Sequence, residues 1–177
     1  MRQTPQSVSP MSNEGRNSYV IAHIIEAFLA LLVEKTPDEI SISELCSQAG
    51  VGRASFYRNF ESKEDILKAH INAIFHEWID EYAKNSGAAL IEQIRSIFAH
   101  LEKHMDFYGL LNERGFIYLL KDVLIGVFGP KPEQSKAEAY AAAFVAYSLY
   151  GWIEVWFQRG MQESAEEMAE LFRNQGL

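Results

Sequence analysis

Residues 40–67 read ISISELCSQAGVGRASFYRNFESKEDIL, and this stretch decides the fold. Ser41 and Glu44 have the Ser-x-x-Glu spacing of a capping box, in which each side chain satisfies the other residue's backbone N–H. A short helix is therefore expected from Ser41, with Ile42, Leu45 and Ala49 turned inward. Gly50-Val51-Gly52 stops it after about two turns, and a second short helix runs from Arg53 to about Phe60. Ser62, with a reciprocal acid at Asp65, caps a longer helix that starts at Lys63 and reaches about residue 85. Two short helices joined by a glycine-containing turn are the organisation of a helix–turn–helix, whose second helix enters the major groove of DNA. Leu45, Ala49, Val51 and Phe56 supply its small core, and Cys46 is small enough for the second helix to cross closely.

The outward face of the second helix is expected to hold Arg53, Ser55, Tyr57, Arg58 and Asn59. Arginine suits guanine O6 and N7, asparagine suits adenine, and tyrosine and serine suit phosphate oxygens. Lys63 adds a cation and a helix N-terminus for a further phosphate.

Working outward, residues 1–17 are rich in Ser, Pro, Asn and Gly and read as a mobile arm. Ile21, Ile24, Ile25, Phe28, Leu31 and Leu32 then recur at three- and four-residue steps, which predicts a helix ending before Thr36-Pro37. Beyond Ser86-Gly87 the pattern predicts helices at 88–105, 107–113, 116–127, 134–159 and 164–174. Gly129-Pro130-Lys131-Pro132 is a loop. Gly160 ends the long helix, and Ser164 with Glu167 makes another capping box. No strand pattern and no internal repeat emerges. The expected fold is all-α: an arm at 1–17, a three-helix DNA-binding head at 18–63 and a helical ligand-binding and dimerisation body at 64–177.

The chain has 177 residues, 48% of them hydrophobic, and a formal net charge of −8. A single cysteine, Cys46, excludes an intramolecular disulfide and any multi-cysteine metal site, and fits a reducing cytoplasm. No basic stretch followed by an apolar one opens the chain, so no signal peptide is expected. An acidic protein is at first sight a poor partner for nucleic acid. The charge is unevenly spread, however. Residues 1–63 carry six Lys/Arg against seven Asp/Glu, a net of −1, while residues 64–177 carry ten against seventeen, a net of −7.

The run 40–67 resembles the DNA-binding signature of TetR-type transcriptional regulators. The matching parts are Leu45-Cys46, Ala49-Gly50-Val51, Phe56-Tyr57-x-x-Phe60 and Lys63 followed by an acid and an aliphatic. The resemblance implies that Ser41, Arg53, Ala54, Ser55, Tyr57, Arg58, Asn59 and Lys63 contact DNA. Cys46, Gly52 and Asn59 depart from the commoner alanine, serine and histidine of that signature. Gly151-Trp152-Ile153, Trp156, Gly160-Met161, Glu163-Ser164 and Glu166-Glu167 resemble, more loosely, the C-terminal region of the DhaS-like branch. That resemblance implies a homodimer built on the last two long helices, and a pocket for a ligand or partner among the central helices. Some members of that branch are activators that work with a partner protein.

Fourteen of the 22 aromatic residues lie beyond Gly87. Phe98, Tyr108, Phe116, Tyr118, Phe144, Tyr147 and Trp152 are the candidates to line a cavity for a small apolar or planar ligand, against the plainer reading that they are core. The segment 139–157 is apolar nearly all round. It reads as a helix buried against its own bundle and a partner subunit, because a membrane span needs about 20 apolar residues and Glu154 interrupts after fifteen uncharged positions. Glu154 itself is expected at the solvent edge or paired with Arg159. His100 and His104, four apart, are read as a surface pair and not a metal site, with Glu102, Asp106 and His76 the further candidate ligands. No nucleophile arrangement points to an enzyme, and no cofactor is implied. The expected protein is thus a cytoplasmic, homodimeric regulator, a repressor by default, that binds a pseudo-palindromic double-stranded operator under a small-molecule effector or partner protein. The alternative is a helical coactivator acting mainly through a protein partner.

Overall fold

The first helix, α1 (Asn13–Glu34), buries Ile24, Ala27, Phe28, Leu31 and Leu32 on one side, the face that the three-and-four spacing marks. A computed structural model describes residues 13–83 and 90–174 of the chain. Residues 13–17, expected in the arm, are helical and continue α1, whereas residues 1–12 lie outside the described part. The stretch Gly15–Glu34 is long and apolar enough to cross a membrane by length and composition. Here its apolar face packs on the two helices that follow.

Thr36-Pro37 ends α1 in a single 3-10 turn, Pro37–Glu39, where the Thr36 N–H donates to Glu39 Oε2 at 2.8 Å. Helix α2 (Ile42–Gln48) starts at Ser41, whose Oγ accepts the Glu44 N–H at 3.1 Å. The reciprocal half of the expected capping box is absent, because the Glu44 carboxylate pairs with the Lys35 ammonium at the end of α1. An ion pair to a neighbouring element has taken the acceptor that the local motif offers. Helix α2 closes with Gly50 at φ +66° and the Val51 N–H donating to Cys46 O at 3.0 Å. This left-handed stop favours glycine.

Helix α3 (Arg53–Asn59) follows, with Gly52 at its N-cap supplying no side-chain hydrogen bond. Helix α4 (Lys63–Ala83) begins with the capping box expected of Ser62 and Asp65: the Asp65 N–H donates to Ser62 Oγ at 3.2 Å and the Ser62 N–H to Asp65 Oδ2 at 2.9 Å. Leu45, Cys46, Ala49, Phe56 and Phe60 are buried among these elements, while Val51 stays half-buried.

The chain divides into two compact units, Met1–Ile66 and Leu67–Leu177. In the second unit, α5 (Leu90–Lys103) packs on α9 (Ala165–Asn174), and α7 (Leu119–Phe128) packs on α8 (Lys136–Gln158); α6 (Met105–Glu113) follows α5 directly. Helix α7 starts three residues later than the pattern suggests. Gly115, at φ +77°, ends α6, and the Phe116 N–H turns back to Leu111 O at 2.7 Å, so residues 116–118 form the turn. Helix α8 likewise starts late, because Ser135 caps it, its N–H donating to Glu138 Oε2 at 2.8 Å. It ends at Gly160 (φ +79°), with the Met161 N–H returning to Trp156 O at 2.8 Å. The Ser164–Glu167 box forms as expected, the Ser164 N–H donating to Glu167 Oε2 at 2.8 Å. No strand occurs among the described residues, and the fold is all-α.

Aromatic side chains tie this unit together. Phe98 meets Trp156 edge-on at 5.5 Å between ring centroids, and Trp152 meets Phe172 at 5.5 Å. The Trp156 indole N–H donates to Glu163 O at 2.8 Å, satisfying the polar edge of a buried ring. Arg95 of α5 grips Glu166 of α9 through both Nε (2.6 Å) and Nη2 (2.9 Å). Glu102 accepts the Ala165 N–H at 2.6 Å, so a carboxylate from α5 caps the first turn of α9.

Candidate nucleic-acid interface

Helix α3 is anchored through Phe56, which is fully buried, and through Phe60, whose ring centroid lies 6.0 Å from that of Phe56. With that face fixed, the helical repeat turns Arg53, Ala54, Tyr57 and Arg58 to solvent. Tyr57 is 62% exposed and rests edge-on against Phe56 at 5.2 Å, which holds the phenol outward. Two guanidinium groups, a methyl and a phenol on one exposed helix face can contact base edges, a thymine methyl and phosphates. Ser41 is exposed at the N-terminus of α2, with its Oγ already accepting one backbone N–H.

Two expected contacts are placed differently. The Asn59 amide is half-buried and donates to Ser55 O at 2.9 Å, so it is folded back on its own helix and adenine recognition requires giving up that bond. The Lys63 ammonium is half-buried and donates to Pro37 O and, at 3.0 Å, to Ile40 O. It joins the start of α4 to the segment between α1 and α2. Burial pushes the Cys46 thiol up, against a smaller opposite pull from the charge of Arg53, so the thiol is a neutral part of the core.

Five Lys and Arg lie among the described residues of the first unit. Lys35 and Lys63 are engaged as above, and Arg53 and Arg58 are exposed on α3. Arg16 and Asn17, from the first turns of α1, line a cavity of about 380 Å³ with Val20, Ser55 and Arg58. Sequence reasoning missed these two, because the apolar periodicity of α1 becomes visible only from about Tyr19 and the polar residues before it resemble a linker.

The seven aromatic candidates of the body do not converge. Phe98, Tyr108 and Phe116 are buried; Tyr118, Phe144 and Tyr147 are exposed; Trp152 is half-buried. Trp152 lines a cavity of about 380 Å³ with Gly151, Val155, Trp156, Met168 and Leu171, beside the Arg159–Glu163 ion pair at 2.8 Å. Arg159 is therefore spent on Glu163, and Glu154 is exposed.

The histidine pair also needs correction. His100 is only 7% exposed, and its Nε2 lies 3.3 Å from Tyr108 Oη, with Phe75 against the ring at 4.8 Å. Its i+4 neighbour His104 is half-buried at 4.8 Å. The α5 face reads as polar in sequence, but α4 and α6 cover it. Burial first, then the charges of His104 and Lys103, lower the His100 pKa to about 4. Among the described residues no group of three or more His, Cys, Asp or Glu is placed to hold a metal ion, and Glu102 is engaged at α9.

Comparison with known proteins gives two family matches. Residues 24–70 match bacterial regulatory proteins of the tetR family, and residues 89–175 match a transcriptional regulator C-terminal region. No curated protein matches the chain. A TetR transcriptional regulator from Streptococcus agalactiae 2603V has a similar structure, with 20% identity and a TM-score of 0.59. The similarity covers 92% of this chain and 96% of that one, and at this identity it speaks for the fold.

Proposed function

The chain belongs to the TetR family of bacterial regulatory proteins and is a DNA-binding transcriptional regulator, and from that premise we propose that it represses transcription as a homodimer on a pseudo-palindromic operator, modulated by a small molecule or a partner protein. The observation that carries the DNA part is the single exposed face of α3, with Arg53, Ala54, Tyr57 and Arg58 held outward by the buried Phe56. Ser55, half-buried on α3, and Ser41, exposed at the N-terminus of α2, are the phosphate contacts of this reading. Lys63 acts as a positioning residue, and Asn59 enters only when its helix bond opens. The DhaS-like branch remains part of the proposal, supported by Gly151-Trp152-Ile153, Trp156 and Gly160-Met161. So does a cytoplasmic location, where an operator would be met.

The dimer rests on α8. Tyr140, Phe144 and Tyr147, spaced i, i+4 and i+7, are 71%, 56% and 52% exposed, and Gly151 and Val155 continue the same stripe. A row of large apolar side chains along one helix face favours burial against a second copy through a two-fold contact. Such a dimer puts two copies of α3 into successive major grooves about 34–36 Å apart, or a multiple of that distance. An effector that prefers one spacing of the heads then changes operator affinity by population shift.

Selection of bound duplexes from a random pool tests this reading. The expected product is a two-fold symmetric site; Arg53→Ala relaxes preference at one position of it by about 1–3 kcal/mol of discrimination, and Tyr57→Ala weakens all sequences alike. Enrichment of no sequence refutes DNA readout and favours the coactivator alternative. Enrichment of a lone half-site refutes the dimer.

A further inference from the structure

The cavity lined by the C-terminal part of α8 and by α9 measures about 380 Å³, within the range of small-molecule sites, about 300–1,000 Å³. Trp152, Trp156, Met168 and Leu171 give it apolar walls, and its charged members are Arg159 and Glu163. Both indoles are held in place, Trp156 by its N–H to Glu163 O at 2.8 Å and Trp152 by Phe172 edge-on at 5.5 Å. Glu163 Oε1 accepts from Arg159 Nε at 2.8 Å, whereas Glu163 Oε2 is buried and has no hydrogen-bond partner. The Arg159 guanidinium holds the Glu163 carboxyl below the usual range, so the group is an anion. A buried carboxylate oxygen without a donor is costly, and the cavity beside it leaves room for one.

A second cavity, of about 550 Å³, shares Arg159, Glu163 and Leu171 with the first and adds Glu167 and Glu170, three carboxylates against one guanidinium. Glu167 caps α9 and Glu170 pairs with Arg173 at 3.5 Å, so within this group Glu163 keeps the oxygen without a donor. The negative field where the two cavities meet attracts a cation and repels an anion. Tryptophan adds to that preference, because a cation within about 6 Å of an indole face is attracted by the ring. We infer that the cavity binds a small amphipathic amine, its apolar body against Trp152 and Trp156 and its ammonium donating to Glu163 Oε2. This gives a chemical class to the small molecule of the regulatory reading above. An effect on operator affinity rests on that reading, whereas the binding itself does not.

The test titrates the full chain, without DNA, with 2-phenylethylamine and with 2-phenylethanol and 3-phenylpropionate as neutral and anionic bodies of like size. Calorimetry and tryptophan fluorescence read the binding. The amine is expected to bind saturably, one per chain, about tenfold or more tighter than either analogue. Glu163→Gln, which keeps the shape of the side chain, should lower amine affinity about tenfold and leave the alcohol unchanged; a merely structural loss would weaken both. Arg159→Gln releases the carboxylate and should strengthen amine binding. An amine that binds no tighter than the alcohol, or a preference that survives Glu163→Gln, overturns the proposal. Probe binding by a Phe144→Glu monomer and not by wild type assigns the cavity to side chains of the second copy and also overturns it. A wild type that binds the amine selectively but no DNA supports the site and refutes the regulatory reading. Selective binding that leaves the affinity for a selected operator unchanged overturns the amine as effector.

Discussion

Replacing Lys63 with methionine removes the ammonium, keeps most of the aliphatic stem, and separates two roles that predict opposite readouts. In the structure the ammonium donates to the carbonyls of Pro37 and Ile40, residues that link α1 to α2. A hydrogen bond to a charged group is worth about 1.5–3 kcal/mol when sheltered. Lys63 is half-buried, so water replaces part of what is lost, and we expect the pair of bonds to contribute about 2 kcal/mol. With a urea slope of about 2 kcal/mol per molar, the unfolding midpoint of Lys63→Met falls by roughly 1 M. Operator affinity falls modestly, through the loosened start of α2, while its salt dependence keeps the wild-type slope. The assay is urea unfolding together with operator titration across salt on the same protein. An unchanged midpoint with a salt slope reduced by about 0.9 refutes the positioning role and makes Lys63 a phosphate contact.

Three further outcomes are expected. Gly50→Ala meets open space but must hold φ at +66°, so it destabilises by about 1–2 kcal/mol in urea unfolding; a neutral result would mean that α2 ends differently in solution. Burial keeps His100 neutral in the fold, with a pKa of about 4 against 6.5 for the free side chain, so below pH 6.5 the unfolded chain takes up a proton that the folded chain refuses. Stability is therefore intact above about pH 6.5 and lost progressively down to about pH 4, by roughly 2–3 kcal/mol after allowing for partial access of water. His100→Asn should flatten that decline in a pH series of unfolding midpoints, and a slope as steep as wild type would show that other groups govern it. Phe144→Glu places a charge in the exposed α8 stripe and should convert a dimer to a monomer in sedimentation while leaving helical content unchanged; a persistent dimer would move the interface elsewhere.

The capping boxes show how far local sequence carries. Ser62–Asp65 and Ser164–Glu167 form as read, because every partner lies within one turn of the same segment. Ser41–Glu44 forms only by half, because Lys35 arrives from another helix to take the carboxylate. Lys63 differs for the same reason: its partners stand 26 and 23 residues earlier in the chain. Residues 13–17 read as an arm because nothing local in them announces a helix, whereas α1 continues through them once its apolar face is held by the head.

Sequence alone determined the all-α fold, the glycine-turned pair of short helices and the exposure of Arg53, Tyr57 and Arg58 on the second, since helical periodicity, caps and left-handed stops act over a few residues and need no distant partner. Tertiary structure decided which polar groups remain available. It turned Asn59 back on its helix, committed Lys63 and Lys35 internally, and buried His100 under α4 and α6. A hydrogen bond or ion pair can be taken by any group that the fold brings near, and the order of residues along the chain does not fix who arrives.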